Sequence, residues 1–392
     1  MDLRVQLIRE HKEGESIAAL ARIYGISRKT IYKWIDRHET KGVLGLSDRS
    51  RTPLHCPSRV SEEMVADIIA ARHRWGWGPR KLRVKLAEAD PATEWPAEST
   101  IGEVLKRAGL THRRKPRVRT PPYRRPFASV EESNQTWCAD FKGWFRTGDG
   151  TRCDPLTITD AYSRYLLRCQ ITPKTDGVHV EAVFDAAFKE YGLPQVIHTD
   201  NGAPFASRAP GGLSRVSMRW VRLGIVPERS RPGSPQDNAQ HERMHSTLKQ
   251  STLKPPKSNV RRQQKAFDGF RHEFNHERPH ETLGDRTPAS FYRPSCRPMP
   301  PRVPELEYQD DFEVRRISQQ GSLKWGGERT FISEIFAYEW LGLRALDERY
   351  REVLYGPVRL GFLDTHLHLF HRALSVSLQR KLGLFKTESM WK

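Results

Sequence analysis

Apolar side chains recur at helical spacing through the first hundred residues. Residues 16–38, SIAALARIYGISRKTIYKWIDRH, put Ile17, Leu20 and Ala21 on one face, pass through Tyr24-Gly25-Ile26, and resume with Ile31, Trp34 and Ile35. Two short helices joined by a tight turn are predicted, with Gly25 free to go left-handed and Ser27 able to cap the second helix. That helix would turn Arg28, Lys29, Thr30 and Lys33 outward toward a major groove, which is helix-turn-helix grammar. A plain helical hairpin with a solvated basic face would carry the same pattern. Helical spacing returns from Ser61 to Gly109, broken at Trp75-Gly76-Trp77-Gly78-Pro79 and between Pro91 and Pro96. A second helix-turn-helix-like unit is predicted there, with Ser99 as an N-cap, Gly109 as a stop and both tryptophans in the core.

From Thr136 the period shortens. TWCADFKGWF, PLTITD and RYLLRCQI read as successive antiparallel strands, with Gly148-Asp149-Gly150 as a hairpin turn. A helix over Val178 to Tyr191, stopped by Gly192, leads to a short strand VIHT that runs into Asp200. The order implies an α/β layer core. Beyond the proline-rich PSCRPMPPRVP, short alternating runs around Val314–Ile317, Leu323–Trp325, Thr330–Ile332, Glu352–Tyr355, Val358–Leu363 and Leu367–Phe370 predict a small β-barrel.

Charge narrows the class. The 392 residues carry a formal net charge of +19, and residues 1–125 hold 27 basic against 15 acidic side chains. A polyanionic partner is implied, bound mainly through the N-terminal end. Residues 106–125 carry nine basic residues and no acidic one, Arg113, Arg114 and Lys115 among them, with prolines that oppose helix formation. They read as an extended phosphate-tracking linker. Five scattered cysteines without a C-x-x-C pair indicate neither a zinc ribbon nor a disulfide framework, which fits a reducing cytosol. No apolar leader or membrane-spanning run is present, so a cytoplasmic protein without membrane association is expected.

Two aspartates stand out in the middle section. Asp140 interrupts an apolar strand, and Asp200 ends one, where neighbouring strand ends bring distant residues together. A third carboxylate comes from SPQDNAQHERMHSTLKQ, a predicted helix with Asn238, Glu242 and His245 along one face. Three carboxylates without thiolates suit Mg²⁺, with Mn²⁺ as a substitute. Two such ions about 3.5–4 Å apart can activate an attacking oxygen and stabilise the leaving one in phosphoryl transfer.

These residues resemble the DDE transposases of bacterial insertion sequences, relatives of retroviral integrases. The resemblance rests on GLSDRSRTP, Trp75 to Arg80 (WGWGPR), Trp137-x-x-Asp140, Asp160-x-x-Ser163-Arg164-Tyr165, His198-Thr199-Asp200-Asn201-Gly202 with Phe205, Asp237-Asn238-Ala239 before Glu242, and Asn275-His276-Glu277-Arg278-Pro279-His280. It implies a ribonuclease H-like core in which Asp140, Asp200 and Glu242 bind two metal ions, and an SH3-like C-terminal barrel that assists DNA binding or subunit contacts. It also implies double-stranded DNA partners, element ends and target, held by a dimer or tetramer. Cleavage by water would free a 3′-hydroxyl that then attacks the target. Lys249 occupies the position of a residue that touches the DNA end in relatives, although a solvated helix lysine reads equally well. Asp200 and Glu242 stand farther apart than is usual in the family, the extra length falling in SRAPGGLSRVSMRW as an inserted loop. Asp160 and Ser163-Arg164 are expected to shape a hairpin turn.

The expected organisation is a helix-turn-helix domain at 1–54, a second at 55–112, a basic linker at 113–130, the catalytic core at 131–293, a proline-rich linker at 294–304, the barrel at 305–375 and a tail at 376–392. Two rival readings remain: a helix-turn-helix regulator with an inactive core, and a zinc metalloprotease from His241-Glu242-x-x-His245. The same H-E-x-x-H spacing recurs at 272–276 and 276–280, which shows how cheaply it arises in a His/Glu-rich stretch.

Overall fold

Ser16 and Ser27 each open a helix by accepting a backbone N–H three residues on, from Ala19 and from Thr30. The computed structural model describes residues 2–49, 59–111, 127, 129–231 and 239–384, and the chain divides into two compact units, Met1–Ala66 and Asp67–Lys392. In the first unit, α1 (Asp2–Lys12), α2 (Ile17–Ile23) and α3 (Arg28–Lys41) close over Leu7, Ile8, Leu20, Ile31, Trp34 and Leu46. Gly25 makes the turn at φ +62°, the left-handed conformation expected of it.

Three more helices follow, α4 (Glu62–Trp75), α5 (Pro79–Ala89) and α6 (Glu98–Arg107). Ser99 does not cap α6. The helix begins at Glu98, whose charge suits a helix N-terminus, and its N-cap is Ala97, which makes no side-chain bond.

The central sheet is mixed. β1 (Thr136–Phe141) pairs antiparallel with β3 (Arg152–Asp160), which also pairs with the short β2 (Phe145–Arg146) and with β4 (Leu166–Thr172). After α7 (Gly177–Tyr191), β5 (Val196–Thr199) joins β1 in parallel, and after α8 (Arg215–Arg222), β6 (Val226–Arg229) joins β5 in parallel. Side-chain alternation feeds two cores. Trp137, Leu156 and Ile158 meet Phe184 and Phe188 of α7 and Trp220 of α8. Cys153, Leu166 and Cys169 on the other face meet Met244 and Leu248 of α9 (Ala239–Thr252) and Phe267 and Phe270 of α10 (Val260–His272). The sheet and its two helical layers fit the ribonuclease H-like core expected.

The C-terminal strands are β7 (Phe312–Arg316), β8 (Ser322–Trp325), β9 (Glu328–Phe331), β10 (Trp340–Ala345), β11 (Tyr350–Tyr355), β12 (Val358–Asp364) and β13 (Leu369–His371), followed by α11 (Val376–Lys381). They form a five-stranded antiparallel sheet in the order β13-β12-β11-β10-β7 and a separate β8–β9 hairpin; ladder closure between β7 and β13 is not seen among the described residues. β10 was not foreseen, because its interior Gly342 breaks the strand pattern. Gly342 is there for close packing, since an added Cβ would collide with the Tyr308 ring.

The supposed inserted loop has a structural task. It forms most of α8, and its Leu213 and Met218, with Val221 just beyond it, enter one buried cluster with Leu341, Leu343, Val353, Tyr355 and Leu360 of the C-terminal sheet. The proline-rich segment lies along the core: Ser295 donates its N–H to the Tyr191 carbonyl at 2.8 Å, and Arg222 Nε donates to the Pro304 carbonyl at 2.9 Å.

Candidate active site

The β1–β5 ladder runs in parallel register, Thr136 with Val196, Trp137 with Ile197 and Cys138 with His198. Beyond the last registered pair, Asp140 stands near the end of β1 and Asp200 is the first residue past β5, so the two lie at the same end of adjacent parallel strands. Asp140 is half-buried and Asp200 exposed. The Asp200 carboxylate accepts the Gly202 N–H at 3.1 Å, and Asn201 Nδ2 donates to the Ser230 carbonyl at 2.7 Å, which ties this loop to the end of β6.

α9 is held beside Asp140 through the Thr157 hydroxyl, with Thr159 Oγ1 also 3.3 Å from His241 Nδ1. Thr157, the β3 partner of Asp140, donates from Oγ1 to the Asp140 carbonyl at 3.0 Å. Its only hydrogen is then used, so the Nε2 atoms of His241 and His245, both 2.7 Å from Oγ1, must donate to it. Burial, reinforced by His198, pushes His241 down to about 3. Burial, then His241 and Lys142, pushes His245 down to about 2. Both imidazoles are therefore neutral at physiological pH. His245 Nδ1 lies 3.9 Å from Asp140 Oδ2.

Glu242, one turn before His245, is on the exposed side of α9, and Lys249, one turn after it, is exposed as well. Burial and the like charge of Lys249 lower the Lys142 ammonium, while Asp140 opposes them. Among the described residues no three His, Cys, Asp or Glu side chains are gathered into a metal cage. Asp140 and Asp200 carry carboxylate oxygens, the donor type that fits a hard divalent cation, while Glu242 stands on the exposed side of α9.

Residues 130–235 and 223–288 match the Integrase core domain family, residues 3–53 a Helix-turn-helix domain and residues 30–105 a Homeodomain-like domain. The transposase for insertion sequence element IS904 of Lactococcus lactis is 25% identical over 252 residues, covering 59% of this chain and 95% of the relative. Transposase InsF for insertion sequence IS3A of Escherichia coli is 23% identical over 304 residues, covering 74% of this chain and 98% of the relative. The chain belongs to the integrase-family transposases of insertion sequences. Among solved structures, the HTLV-2 integrase catalytic core domain matches 41% of the transposase and 98% of its own length at 16% identity, with a TM-score of 0.33.

The helix-turn-helix of the transposase presents Arg28, Lys29 and Lys33 on the exposed face of α3, while Thr30 is half-buried and its hydroxyl pairs with Ser27 Oγ at 2.8 Å. Tyr32, 59% exposed, lies next to Lys29 and Lys33 on that face and was not foreseen. Arg113, Arg114 and Lys115 lie outside the described residues, as do Asp237 and Asn238. Asp160 shapes the β3–β4 turn as expected, accepting N–H groups from Asn134 and Ser163, both at 2.8 Å. The metalloprotease reading is not favoured: both histidine Nε2 atoms of the motif are turned into the core onto Thr157, away from the side that carries Glu242. Sequence reasoning missed Lys142 and Thr157. A lysine two residues beyond Asp140 was the available signal for the first.

Proposed function

We propose that the transposase cuts element-end DNA and joins it to target DNA through Asp140, Asp200 and Glu242, acting on two Mg²⁺ ions for which Mn²⁺ can substitute. The reading rests on Asp140 and Asp200 lying at the same end of two adjacent parallel strands, β1 and β5. The ions would supply charge stabilisation for the attacking and leaving oxygens. Asp140 and Asp200 would hold them from adjacent strand ends, and Glu242 would close the set from the surface of α9. Lys142, two residues past Asp140, and Lys249, exposed on α9, would offer positive charge to a DNA phosphate, and His241 and His245, bonded to Thr157, keep α9 in position. Arg28, Lys29, Thr30 and Lys33 would read element ends, and Arg113, Arg114 and Lys115 would follow the backbone.

Hydrolysis frees a 3′-hydroxyl, whose oxygen then attacks a target phosphodiester, forming a new P–O bond while the bond to the target's own 3′-oxygen breaks and that oxygen leaves as a hydroxyl, so the protein forms no covalent link with DNA. Two ends must be held together, which calls for a homodimer or homotetramer in the bacterial cytosol. The C-terminal sheet and hairpin serve as an SH3-like module that supports DNA or subunit contacts. The domain limits at 54, 112, 130, 293, 304 and 375 belong to the same reading.

The test compares wild type and Asp200→Ala on labelled element-end duplex with Mg²⁺. Both bind and only the wild type cuts; equal cutting removes Asp200 from the reaction. A regulator with an inactive core would bind without cutting in either form.

A further inference from the structure

The WGWGPRK stretch at 75–81 makes a continuous set of polar contacts with residues 273–285 of the catalytic core. Trp75 Nε1 donates to Glu277 Oε2 at 3.0 Å, and Trp77 Nε1 donates to Glu273 Oε1 at 3.1 Å. Arg80 grips Asp285, with Nε 3.1 Å from Oδ1 and Nη2 2.8 Å from Oδ2, and its Nη1 reaches Glu281 at 2.9 Å. Lys81 Nζ donates to the Pro279 carbonyl at 2.5 Å, and the Arg278 guanidinium lies 5.6 Å from the Trp77 ring centre.

These contacts are costly to break. Trp77 is 3% exposed, so losing its acceptor would strand a buried N–H. The Arg80–Asp285 fork is also directional, unlike a point-charge contact. The receiving segment is itself joined to the sheet. Asn275 Nδ2 donates to the Leu166 carbonyl at 3.0 Å, and its Oδ1 accepts the Leu166 N–H at 2.8 Å, at the start of β4. β4 pairs with β3, and β3 pairs with β1, the strand of Asp140. The route from α5 through residues 273–285 to β4, β3 and Asp140 is thus made of hydrogen-bonded parts.

We infer that Trp75, Trp77, Arg80 and Lys81 are positioning residues that hold α5 on the catalytic core, so that DNA lying on α5 and α6 reaches Asp140 and Asp200 with one fixed phosphate at the site. The inference rests on the proposed function for the identity of the site, but its central readout does not depend on cutting. A small misplacement of a reacting phosphate costs rate out of proportion to the lost contact. Breaking the clamp therefore separates recognition from reaction instead of weakening both.

The experiment uses the full-length protein in a Glu281→Gln background, which removes the second acidic partner of Arg80. Arg80→Asp, Asp285→Arg and the double swap are compared with that background by hydroxyl-radical footprinting on element-end duplex, by cleavage mapping and by thermal melting. Each single variant keeps protection of the internal end sequence, loses protection of the terminal nucleotides, and cuts about tenfold less and at scattered positions. The swap restores both. Retained terminal protection in the single variants overturns the inference, as does a swap that recovers the melting temperature but not the terminal protection, or loss of internal protection in step with terminal protection. A background protein that protects the terminal nucleotides without cutting them would count against the proposed chemistry and leave the clamp standing.

Discussion

Thr157 Oγ1 donates its hydrogen to the carbonyl oxygen of Asp140 at 3.0 Å, so the strand carrying the first carboxylate and the helix carrying Glu242 share one hydroxyl as their common anchor. Replacing it with valine keeps the shape and removes the acceptor of two imidazole N–H groups. Stranding two buried donors costs on the order of 2–5 kcal/mol. Thr157→Val is expected to lower the melting temperature by several degrees and to reduce end cleavage while end binding persists. Thr157→Ser keeps the hydroxyl and should behave much like the wild type; a valine variant with unchanged melting and cleavage would show that the anchor is dispensable.

Gly202 leaves space for the Asp200 carboxylate. A Cβ at residue 202 would come 3.0 Å from Asp200 Oδ2 and 3.4 Å from Oδ1. Gly202→Ala is expected to turn the carboxylate and cut the cleavage rate by about tenfold, with end-DNA affinity unaltered in a gel-shift titration. Full cleavage in this variant would argue that Asp200 needs no fixed orientation.

Leu213 is 2% exposed inside the cluster that α8 shares with the C-terminal sheet. Leu213→Ala should destabilise the protein by about 2–5 kcal/mol. The loss should appear as a lower denaturation midpoint and as faster proteolysis in both α8 and the C-terminal strands. Protection lost in one of the two alone would contradict a shared core.

Asp364 gives a pH-dependent readout. The Arg349 guanidinium, helped by the Leu367 and His366 N–H groups, lowers its carboxyl from an ordinary 3.8 to about 2, and the side chain is 1% exposed. A depressed carboxylate contributes stability above the unfolded value and loses it as pH falls through the folded one. Asp364→Asn should therefore melt below the wild type at neutral pH, by roughly 2 kcal/mol, and the gap should close between about pH 4 and pH 2. A gap that stays constant across this range would rule out the charged pair as its source.

Features set by nearest neighbours were legible in the sequence. Ser27 and Gly25 act within a few residues of themselves, so the helix-turn-helix could be read directly, and the alternation that makes β1, β3 and β4 is equally local. Asp200 was readable because VIHT leads straight into it. The Thr157 anchor was not, since its partners are 84 and 88 residues away and a strand threonine looks like an ordinary β-former. Proline and glycine hid two strands, β6 with Pro227 and β10 with Gly342. α8 was obscured by the glycine-rich residues before it, and its role emerges only when the C-terminal sheet lies against it.

That shared cluster limits how this protein can be taken apart. Trimming the chain ahead of residue 305 would bare Leu213, Met218 and Val221 together, an oily scar on the catalytic half that invites clumping. Nor can the C-terminal strands be exchanged between relatives like a cartridge: residues 207–222 would have to travel with them, so the two stretches are under pressure to change in concert.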